Sequence, residues 1–255
     1  MLILILASVL ITPPEEPPNI VFIMSDDHAW QAISAYGSDR NVTPNIDRIA
    51  QGGLTFDRYY VENSICAPSR AAILTGVFSQ HHGVPTNREV FDGTQGTFPV
   101  VAQASGYQTA LVGKWHLKSD PVGFDHYERL VGQGNYYGPR MIRNGTEVLH
   151  EGYTTDVITD LTLEWLETER DETKPFVLMV QHKAPHREWM PGPDHLHDME
   201  GVDLPEPATL FDDHSGRGRA STMQEMTIKD HLRPMDLKLA MPEWMMRMTP
   251  EERSA

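Results

Sequence analysis

The chain contains three runs of apolar residues, and polar residues follow each run directly. The runs are NIVFIM from Asn19, YQTALVG from Tyr107 and PFVLMVQ from Pro175. Short apolar runs rich in β-branched residues are typical of β-strands. The first is apolar throughout, as expected for a strand buried on both faces. We therefore predict three strands, with the first in the interior of a sheet.

Two segments between these strands have helical patterns. Thr43 and Pro44 suit the N-cap and first turn of a helix through NIDRIAQ, which Gly52 and Gly53 would close in the left-handed conformation. The segment TTDVITDLTLEWLETE has apolar residues at helical spacing, namely Val157, Ile158, Leu161 and Trp165. Alternating strands and helices predict an α/β fold with a mostly parallel central sheet and helices on both faces.

The two ends of the chain differ from this pattern. Residues 1–18 form an apolar run and a proline-rich linker that resemble a signal peptide, which predicts a periplasmic or secreted protein; a frayed apolar tail is the alternative. No other stretch approaches the length of a membrane span. After about Met190 the chain reads as a long surface loop. Thr249 and Pro250 begin a helix that the sequence does not continue, so we expect residues 19–255 to be an incomplete domain.

Polar clusters follow all three predicted strands. They are Ser25–His28, Lys114–His116 and His182–His186. Because the carboxyl ends of parallel strands meet at one edge of a sheet, where ligands of open α/β sheets bind, we expect these clusters to form one site. The alternative is that each cluster is only the polar start of a loop.

Charge and cysteine content exclude several classes of function. The chain has 21 Lys and Arg residues against 36 Asp and Glu residues, a formal net charge of -15. Such a field repels nucleic acids and anionic membranes, so no nucleic-acid partner is expected. Cys66 is the single cysteine, which excludes an intrachain disulfide framework and a zinc site with several cysteines.

The surroundings of Cys66 favour an anionic ligand. Pro68 suits the first turn of a helix that Gly76 would end, so Cys66 would lie at a helix N-terminus, where free amides favour anions. Arg70 follows one turn later on the same face and could bind the same ligand. A thiolate phosphatase would need its arginine six positions after the cysteine, where this chain has Ala72.

The motif Cys66-Ala67-Pro68-Ser69-Arg70, followed by Leu74-Thr75-Gly76, resembles the signature of sulfatases. The resemblance extends from about Asn19 to about Ala220 and implies an alkaline-phosphatase-like fold. In that family an enzyme oxidises the cysteine to formylglycine. The resemblance therefore implies that Cys66 is the precursor of an aldehyde whose hydrate is the nucleophile, and that the partner of the chain is a formylglycine-generating or sulfatase-maturating enzyme.

Further motifs match sulfatases in the same order. Asp26 and Asp27 match the paired aspartates that, with the formylglycine derived from Cys66, bind Ca²⁺. Lys114 and His116 match the residues that contact the sulfate and the leaving group. In HKAPH, His186 matches the histidine beside the leaving group better than His182 does, and His182 and Lys183 are expected to contact substrate.

The resemblance implies a reaction and a substrate class. The ionised hydrate would attack sulfur while Arg70, Lys114 and Ca²⁺ stabilise the sulfuryl oxygens, and a nearby His or Lys would protonate the departing alcohol. The segments APHREWMPGPDHL and LPEPATLFDD resemble those of carbohydrate sulfatases. We therefore predict a sulfated carbohydrate or aryl ester as substrate.

The chain also departs from the family. Sulfatases are longer, and their second half contributes an Asp-His or Asp-Asn pair to the calcium site and another lysine. We expect an N-terminal sulfatase fragment that binds Ca²⁺ poorly, because two aspartates and one aldehyde oxygen are too few ligands. Two alternatives stay open: a phosphonate or phosphodiester hydrolase of the same superfamily, and a non-catalytic binder of sulfated glycans. Asp212, Asp213 and His214 we expect to be structural or to face substrate.

Overall fold

One six-stranded sheet organises the protein. The structure, a computed structural model, describes residues 16–234 and Asp236. In these residues the strands are β1 (Ile20–Met24), β2 (Gln108–Gly113), β3 (His126–Leu130), β4 (Arg140–Arg143), β5 (Thr146–Leu149) and β6 (Phe176–Gln181). Their order across the sheet is β1-β6-β2-β3-β4-β5. The three apolar runs of the sequence are thus β1, β2 and β6, and they are neighbours.

The sheet is parallel on one side and antiparallel on the other. β1, β6, β2 and β3 pair in parallel, whereas β3, β4 and β5 pair antiparallel. The mostly parallel sheet is therefore confirmed, and the β4–β5 hairpin is an addition that the apolar pattern did not indicate. Its short strands contain charged residues, and Glu128 of β3 is buried only because Arg143 and His150 bind its two carboxylate oxygens.

Helices flank the sheet. In chain order they are α1 (Pro44–Gly52), α2 (Cys66–Thr75), α3 (Ser79–His82), α4 (Phe98–Ala104), α5 (Thr154–Glu164), α6 (Arg219–Thr222) and α7 (Ile228–His231). A single π-helical turn, Trp165–Glu169, extends α5. As the sequence indicated, α5 and this turn bury Ile158 and Trp165.

Alternate residues of β2 and β6 face two separate parts of the core. Leu111 and Met179 pack with Ala71 and Leu74 of α2. On the opposite face, Ala110, Val112, Leu178 and Val180 pack with Ile158 and Trp165. Because side chains alternate along a strand, this division places α2 and α5 on opposite faces of the sheet. Helices on both faces are confirmed.

The predicted burial of β1 on both faces is wrong. β1 lies at the edge of the sheet and pairs only with β6 among the described residues. Phe22 packs against the α2 side of the core, but Val21 and Ile23 are 49% and 61% exposed. On the face opposite α2, α5 packs against β2 and β6, and it leaves Val21 and Ile23 of β1 exposed.

The ends of α1 and α2 show one wrong prediction and one correct one. Pro44 begins α1 as expected, but Gly53 has φ −140° and is not left-handed. At α2 the prediction is confirmed: the helix begins at Cys66, and Gly76 ends it with φ 71°. Cys66 is therefore held at the first position of a helix with defined ends.

The described chain after Met190 is mostly irregular, as predicted. It contains a 3₁₀ turn at Pro193–His195 and the two four-residue helices α6 and α7. Within the described residues, no helix is long and apolar enough to cross a membrane. The apolar start of the signal-like segment and the helix predicted to begin at Thr249 lie outside the described residues.

Candidate functional site around Cys66

The three polar clusters meet at the carboxyl edge of the sheet. Because β1, β6 and β2 are adjacent and parallel, their last residues lead Asp26, Lys114 and the segment 182–186 to the same place. Backbone bonds extend this alignment beyond the strands: the Asp26 amide donates to the Ala184 carbonyl at 3.1 Å.

Helix α2 brings Cys66 and Arg70 to this edge. Buried Ala67, Ala71 and Leu74 fix the helix against the sheet. The amide of Ala67, in the first turn, donates to Asn87 Oδ1 at 2.9 Å. The half-buried Cys66 is thereby placed with its Sγ 3.8 Å from Lys114 Nζ.

Lys114 and Arg70 place two buried cations beside Asp26. Lys114 is fully buried and its ammonium donates to Asp26 Oδ2. Arg70 is 4% exposed; its Nη1 donates to the Lys114 carbonyl and to Gln181 Oε1, and its Nη2 lies 3.6 Å from Asp26 Oδ1. Two cations against one buried carboxylate leave a local positive charge in a protein of net charge -15.

A glycine makes this arrangement of Lys114 possible. Gly113 ends β2 with φ 111°, in the left-handed half of conformational space that favours glycine. A Cβ added there would overlap the Gln181 carbonyl oxygen, which accepts the Lys114 amide at 2.7 Å. Close approach of β2 to β6 therefore requires glycine at this position.

The two aspartates have different environments. Burial by itself raises the pKa of Asp26, but the charges of Lys114 and Arg70 outweigh it and hold that pKa below its ordinary value. The Asp27 side chain is 60% exposed and lies 3.7 Å from His186 Nε2. Asp27 has φ 61°, a left-handed conformation uncommon for residues other than glycine. Asp26 is thus a buried carboxylate and Asp27 an accessible one.

The described residues contain one group that could hold a metal ion. Ligand atoms of Asp26, Cys66 and His186 all lie within 4.8 Å of one another. Carboxylate oxygens are the ligands that Ca²⁺ prefers, and Lys114 Nζ shows that a cation is accommodated against Asp26. Of the three, only Asp26 offers such an oxygen; together with the nearby Asp27 it suits Ca²⁺ in kind, but the two carboxylates provide fewer than the roughly six to eight oxygens that this ion takes.

His116 is present in the site as a neutral ring. Burial, followed by the Lys114 and Arg70 charges, lowers the pKa of His116 to about 4. Its Nδ1 is buried without a hydrogen-bond partner among the described residues, and its φ is 55°. Unusual backbone conformations at both His116 and Asp27 are the pattern expected where structure is constrained for function.

Lys183 belongs to the site through an aromatic residue that sequence analysis missed. Lys183 is 5% exposed, and its Nζ lies 4.8 Å from the centroid of the Tyr136 ring. Burial, followed by the charge of Lys114, lowers the pKa of Lys183 to about 8. Gln181, the partner of Arg70, was also missed. Neither residue stands in a recognisable motif, because Gln181 at the end of β6 and Tyr136 between β3 and β4 reach the site through contacts with residues distant in the chain.

Two other candidates lie apart from the cluster. His182 is half-buried, burial lowers its pKa, and its buried Nδ1 has no hydrogen-bond partner among the described residues. Asp212 pairs with Arg217, Asp213 Oδ1 accepts the Ser215 amide at 2.8 Å, and the His214 ring contacts Ser221. These contacts are internal to the loop, which agrees with a structural role for 212–214.

A cleft of about 750 Å³ opens beside the cluster. Its lining includes Asp26, Asp27, Cys66 and Arg70, together with the exposed aromatic rings of Tyr59 and Tyr60. Aromatic rings beside charged groups are common in sites that bind small polar ligands. The arrangement can bind an anion next to a half-buried Cys66.

Comparisons with known proteins identify the family and the fold. The Sulfatase family model matches residues 18–217. The N-acetylglucosamine-6-O-sulfatase of Bacteroides thetaiotaomicron is 50% identical over 236 residues, which are 91% of this chain and 42% of that protein. Arylsulfatase A of Homo sapiens is 42% identical over 113 residues, covering 42% of this chain and 22% of that enzyme.

A solved structure gives the same result for the fold. BT4656 in complex with its substrate D-glucosamine-2-N,6-O-disulfate superposes with a TM-score of 0.89 at 47% identity, over 93% of this chain and 51% of that chain. The chain thus spans about half the length of the relatives it matches. The α/β, alkaline-phosphatase-like fold is confirmed, and on the family match and these relatives together, the chain belongs to the sulfatase family.

Proposed function

We propose that the protein is a sulfuric ester hydrolase that removes sulfate from a sulfated carbohydrate, with a 6-O-sulfated glucosamine unit as the substrate. The observation that carries the proposal is the cluster in which Lys114 Nζ lies 3.8 Å from Cys66 Sγ and against Asp26. The sugar is inferred from the relatives, an N-acetylglucosamine-6-O-sulfatase and a protein bound to D-glucosamine-2-N,6-O-disulfate.

The charge around Cys66 supports an anionic ester as substrate. Lys114 and Arg70 are buried donors fixed before any ligand arrives, Lys114 by Asp26 and Arg70 by Gln181. Preorganised positive charge of this kind stabilises the negative charge that develops on the oxygens of a reacting ester. In our proposal these two residues bind and orient the sulfuryl group.

We further propose that Cys66 is converted to formylglycine and that Asp26 and Asp27 hold Ca²⁺. Formylglycine would supply a hydrated aldehyde as the nucleophile, and Ca²⁺ would supply positive charge beside it. Cys66 suits the modification because it is half-buried at a helix start and has no other cysteine to pair with. Asp26 suits the ion because its depressed pKa keeps it ionised.

The residues of the 183–186 turn are suited to proton transfer. Lys183, with a pKa of about 8, is protonated at neutral pH and weak enough as a base to release its proton to a departing alkoxide. Burial lowers the pKa of His186, and its Nε2 faces Asp27 at 3.7 Å. We assign proton donation to Lys183 and orientation of the leaving oxygen to His186, with neutral His116 as a hydrogen-bonding partner.

The proposed compartment and partner follow from the same chemistry. We propose a periplasmic or secreted protein, supported by the signal-like residues 1–18, and maturation by a formylglycine-generating or sulfatase-maturating enzyme, supported by the motif around Cys66. Fractionation of the native host, with detection of the protein in each compartment, tests the first part. Expression with and without a maturating enzyme tests the second.

The experiment for the proposed function compares esters that share one sugar. The full-length protein, expressed with a maturating enzyme, is given N-acetylglucosamine 6-sulfate, its 4-sulfate and its 6-phosphate, and the released anion is measured. We expect turnover of the 6-sulfate, little turnover of the others, and none in Cys66→Ala. Thr222→Ala, in the exposed helix α6, is the control for substitution as such.

Each contrary outcome identifies a different error. Faster turnover of the 6-phosphate would show that the protein is a phosphate ester hydrolase and not a sulfatase. Binding of the 6-sulfate with no release in any variant would make it a non-catalytic binder of sulfated glycans. Preference for the 4-sulfate would overturn the assignment of the sugar position alone.

A further inference from the structure

Three tyrosine hydroxyls hold the loop that follows β6. Tyr136 donates to the His186 carbonyl, Tyr153 to the Met190 carbonyl at 2.7 Å, and Tyr137 to the Pro191 carbonyl at 2.7 Å. None of the three belongs to a motif at a strand end. All three bonds are made to the backbone of 186–191, so they fix the path of the loop regardless of its side chains.

The tyrosines themselves are rigidly placed. Tyr137 and Tyr153 form an antiparallel bridge, and the Thr154 amide donates to the Tyr136 carbonyl at 2.7 Å. Tyr136 and Tyr137 are 2% and 0% exposed, and the Tyr136 ring stacks on Tyr153 with centroids 6.1 Å apart. Buried, stacked rings with bonded hydroxyls have few alternative rotamers, so they form a fixed platform beneath the loop.

Tyr136 differs from the other two because it contacts both ends of one turn. Its hydroxyl bonds the His186 carbonyl, and its ring face lies under Lys183 Nζ at 4.8 Å. The His186 amide donates to the Lys183 carbonyl at 3.0 Å, which closes the turn between them. One side chain therefore fixes the positions of the two groups assigned to the leaving oxygen.

We infer that Tyr136 is a positioning residue that sets His186 through its hydroxyl and Lys183 through its ring. The inference rests on the proposed function, because it needs His186 and Lys183 to act on the leaving group. Bringing catalytic groups into alignment is worth large factors in rate, since displacement by about 1 Å costs up to about a hundredfold. Tyr136 acts through these residues and does not itself need to contact the substrate.

The two functions of Tyr136 can be separated by two substitutions. Tyr136→Phe keeps the ring under Lys183 and removes only the bond to His186. Tyr136→Leu removes the ring as well, and with it a cation–π contact. Tyr153→Phe is the matched control, because it removes one hydroxyl from the same aromatic cluster but releases Met190, four residues beyond His186.

The test is steady-state kinetics of the full-length matured protein on N-acetylglucosamine 6-sulfate, with the melting temperature of each variant. We expect Tyr136→Phe to lower kcat by about ten- to a hundredfold with KM nearly unchanged. Tyr136→Leu should lower kcat by about a further three- to tenfold, because Lys183, the assigned proton donor, is no longer held. Tyr153→Phe should leave kcat within about twofold while lowering the melting temperature as much as Tyr136→Phe does.

Equal losses of kcat in Tyr136→Phe and Tyr153→Phe would overturn the inference, since both would then reflect loosening of the loop. An unchanged kcat in Tyr136→Phe would do the same. If the wild-type protein releases no sulfate, the proposed function fails, and the NMR resonances of the His186 ring decide the positioning claim by themselves. A shift in Tyr136→Phe but not in Tyr153→Phe supports it, and no shift in either contradicts it.

Discussion

The strands that build the site contrast sharply in burial. β2 and β6 lie inside the sheet, covered by α2 on one face and α5 on the other. Lys114, which follows β2, is fully buried. β1 lies at the sheet edge, where Ile23 is 61% exposed, and it leads to Asp27, whose side chain is 60% exposed. The cationic half of the site thus belongs to the core, and of the two aspartates that follow the edge strand only Asp27 is exposed.

This difference indicates which half is preorganised. Lys114 and Arg70 cannot move without disturbing buried hydrogen bonds to Gln181 and Asp26. Asp27 can be repositioned at little cost, because exposed side chains have few contacts to lose. Substitutions in the interior half should therefore affect the whole fold, and matched substitutions in the edge half should have small effects on stability.

Gly113→Ala should have the largest effect. An alanine Cβ would overlap the Gln181 carbonyl, so β2 and β6 would have to separate at the site, and we expect a loss of about 4 kcal/mol or more in the free energy of unfolding. Gly76→Ala, also at positive φ but with open space around it, should lose only about 1–2 kcal/mol. Chemical denaturation of both variants makes the comparison; similar losses would contradict the tight approach of the strands.

The next largest difference in the free energy of unfolding should come from truncating apolar side chains, which should destabilise the interior strand β6 more than the edge strand β1. Leu178 of β6 is fully buried, and Leu178→Ala should cost about 2–5 kcal/mol through lost contacts and a cavity. Ile23→Ala in β1 should cost less than about 1 kcal/mol, because Ile23 is already mostly exposed. Urea midpoints measure both, and a large loss for Ile23→Ala would show that β1 is covered in the protein as it exists.

Lys114→Met should show the same contrast among the charged groups. It leaves the buried Asp26 with Arg70 as its remaining cation at 3.6 Å, and we expect a loss of about 3 kcal/mol. Asp27→Asn, which removes an exposed charge, should change stability by less than about 0.5 kcal/mol. Thermal unfolding at pH 7 tests the pair, and equal effects would mean that the two aspartates share one environment.

The smallest effect concerns the titration of two histidines. His116, half-buried near Lys114 and Arg70, should titrate near pH 4 and stay neutral through the physiological range. His195 is exposed, and its hydrogen bond to Asp198 raises its pKa above the ordinary 6.5. NMR of the ring nitrogens in chelator-treated protein resolves both. A His116 that titrates near 6.5 would place it outside the electropositive half.

Sequence reasoning succeeded where a pattern is local. The apolar runs of β2 and β6 and the boundaries of α2 can each be recognised from a few neighbouring residues. The polar residues that follow the strands converge because parallel strands share an edge. The motif around Cys66 indicated the candidate site for the same reason. These features depend on the order of neighbouring residues alone.

Sequence reasoning failed where a partner is distant. The pattern of NIVFIM indicates an apolar strand but not its place in the sheet, so the exposure of β1 was missed. Strand β3 was missed because Glu128 reads as a surface charge until Arg143 and His150 pair with it. Tyr136 was missed because its bond to His186 spans fifty residues of chain.

The central claim is that Cys66 is the reacting position of a sulfatase centre built on the preorganised cationic half. Mass spectrometry of the peptide that contains Cys66, taken from the protein in its native host, tests it most directly. The account predicts formylglycine at position 66, with the modification absent in Cys66→Ala. A fully unmodified thiol at Cys66 would contradict the claim and would leave the protein without its proposed nucleophile.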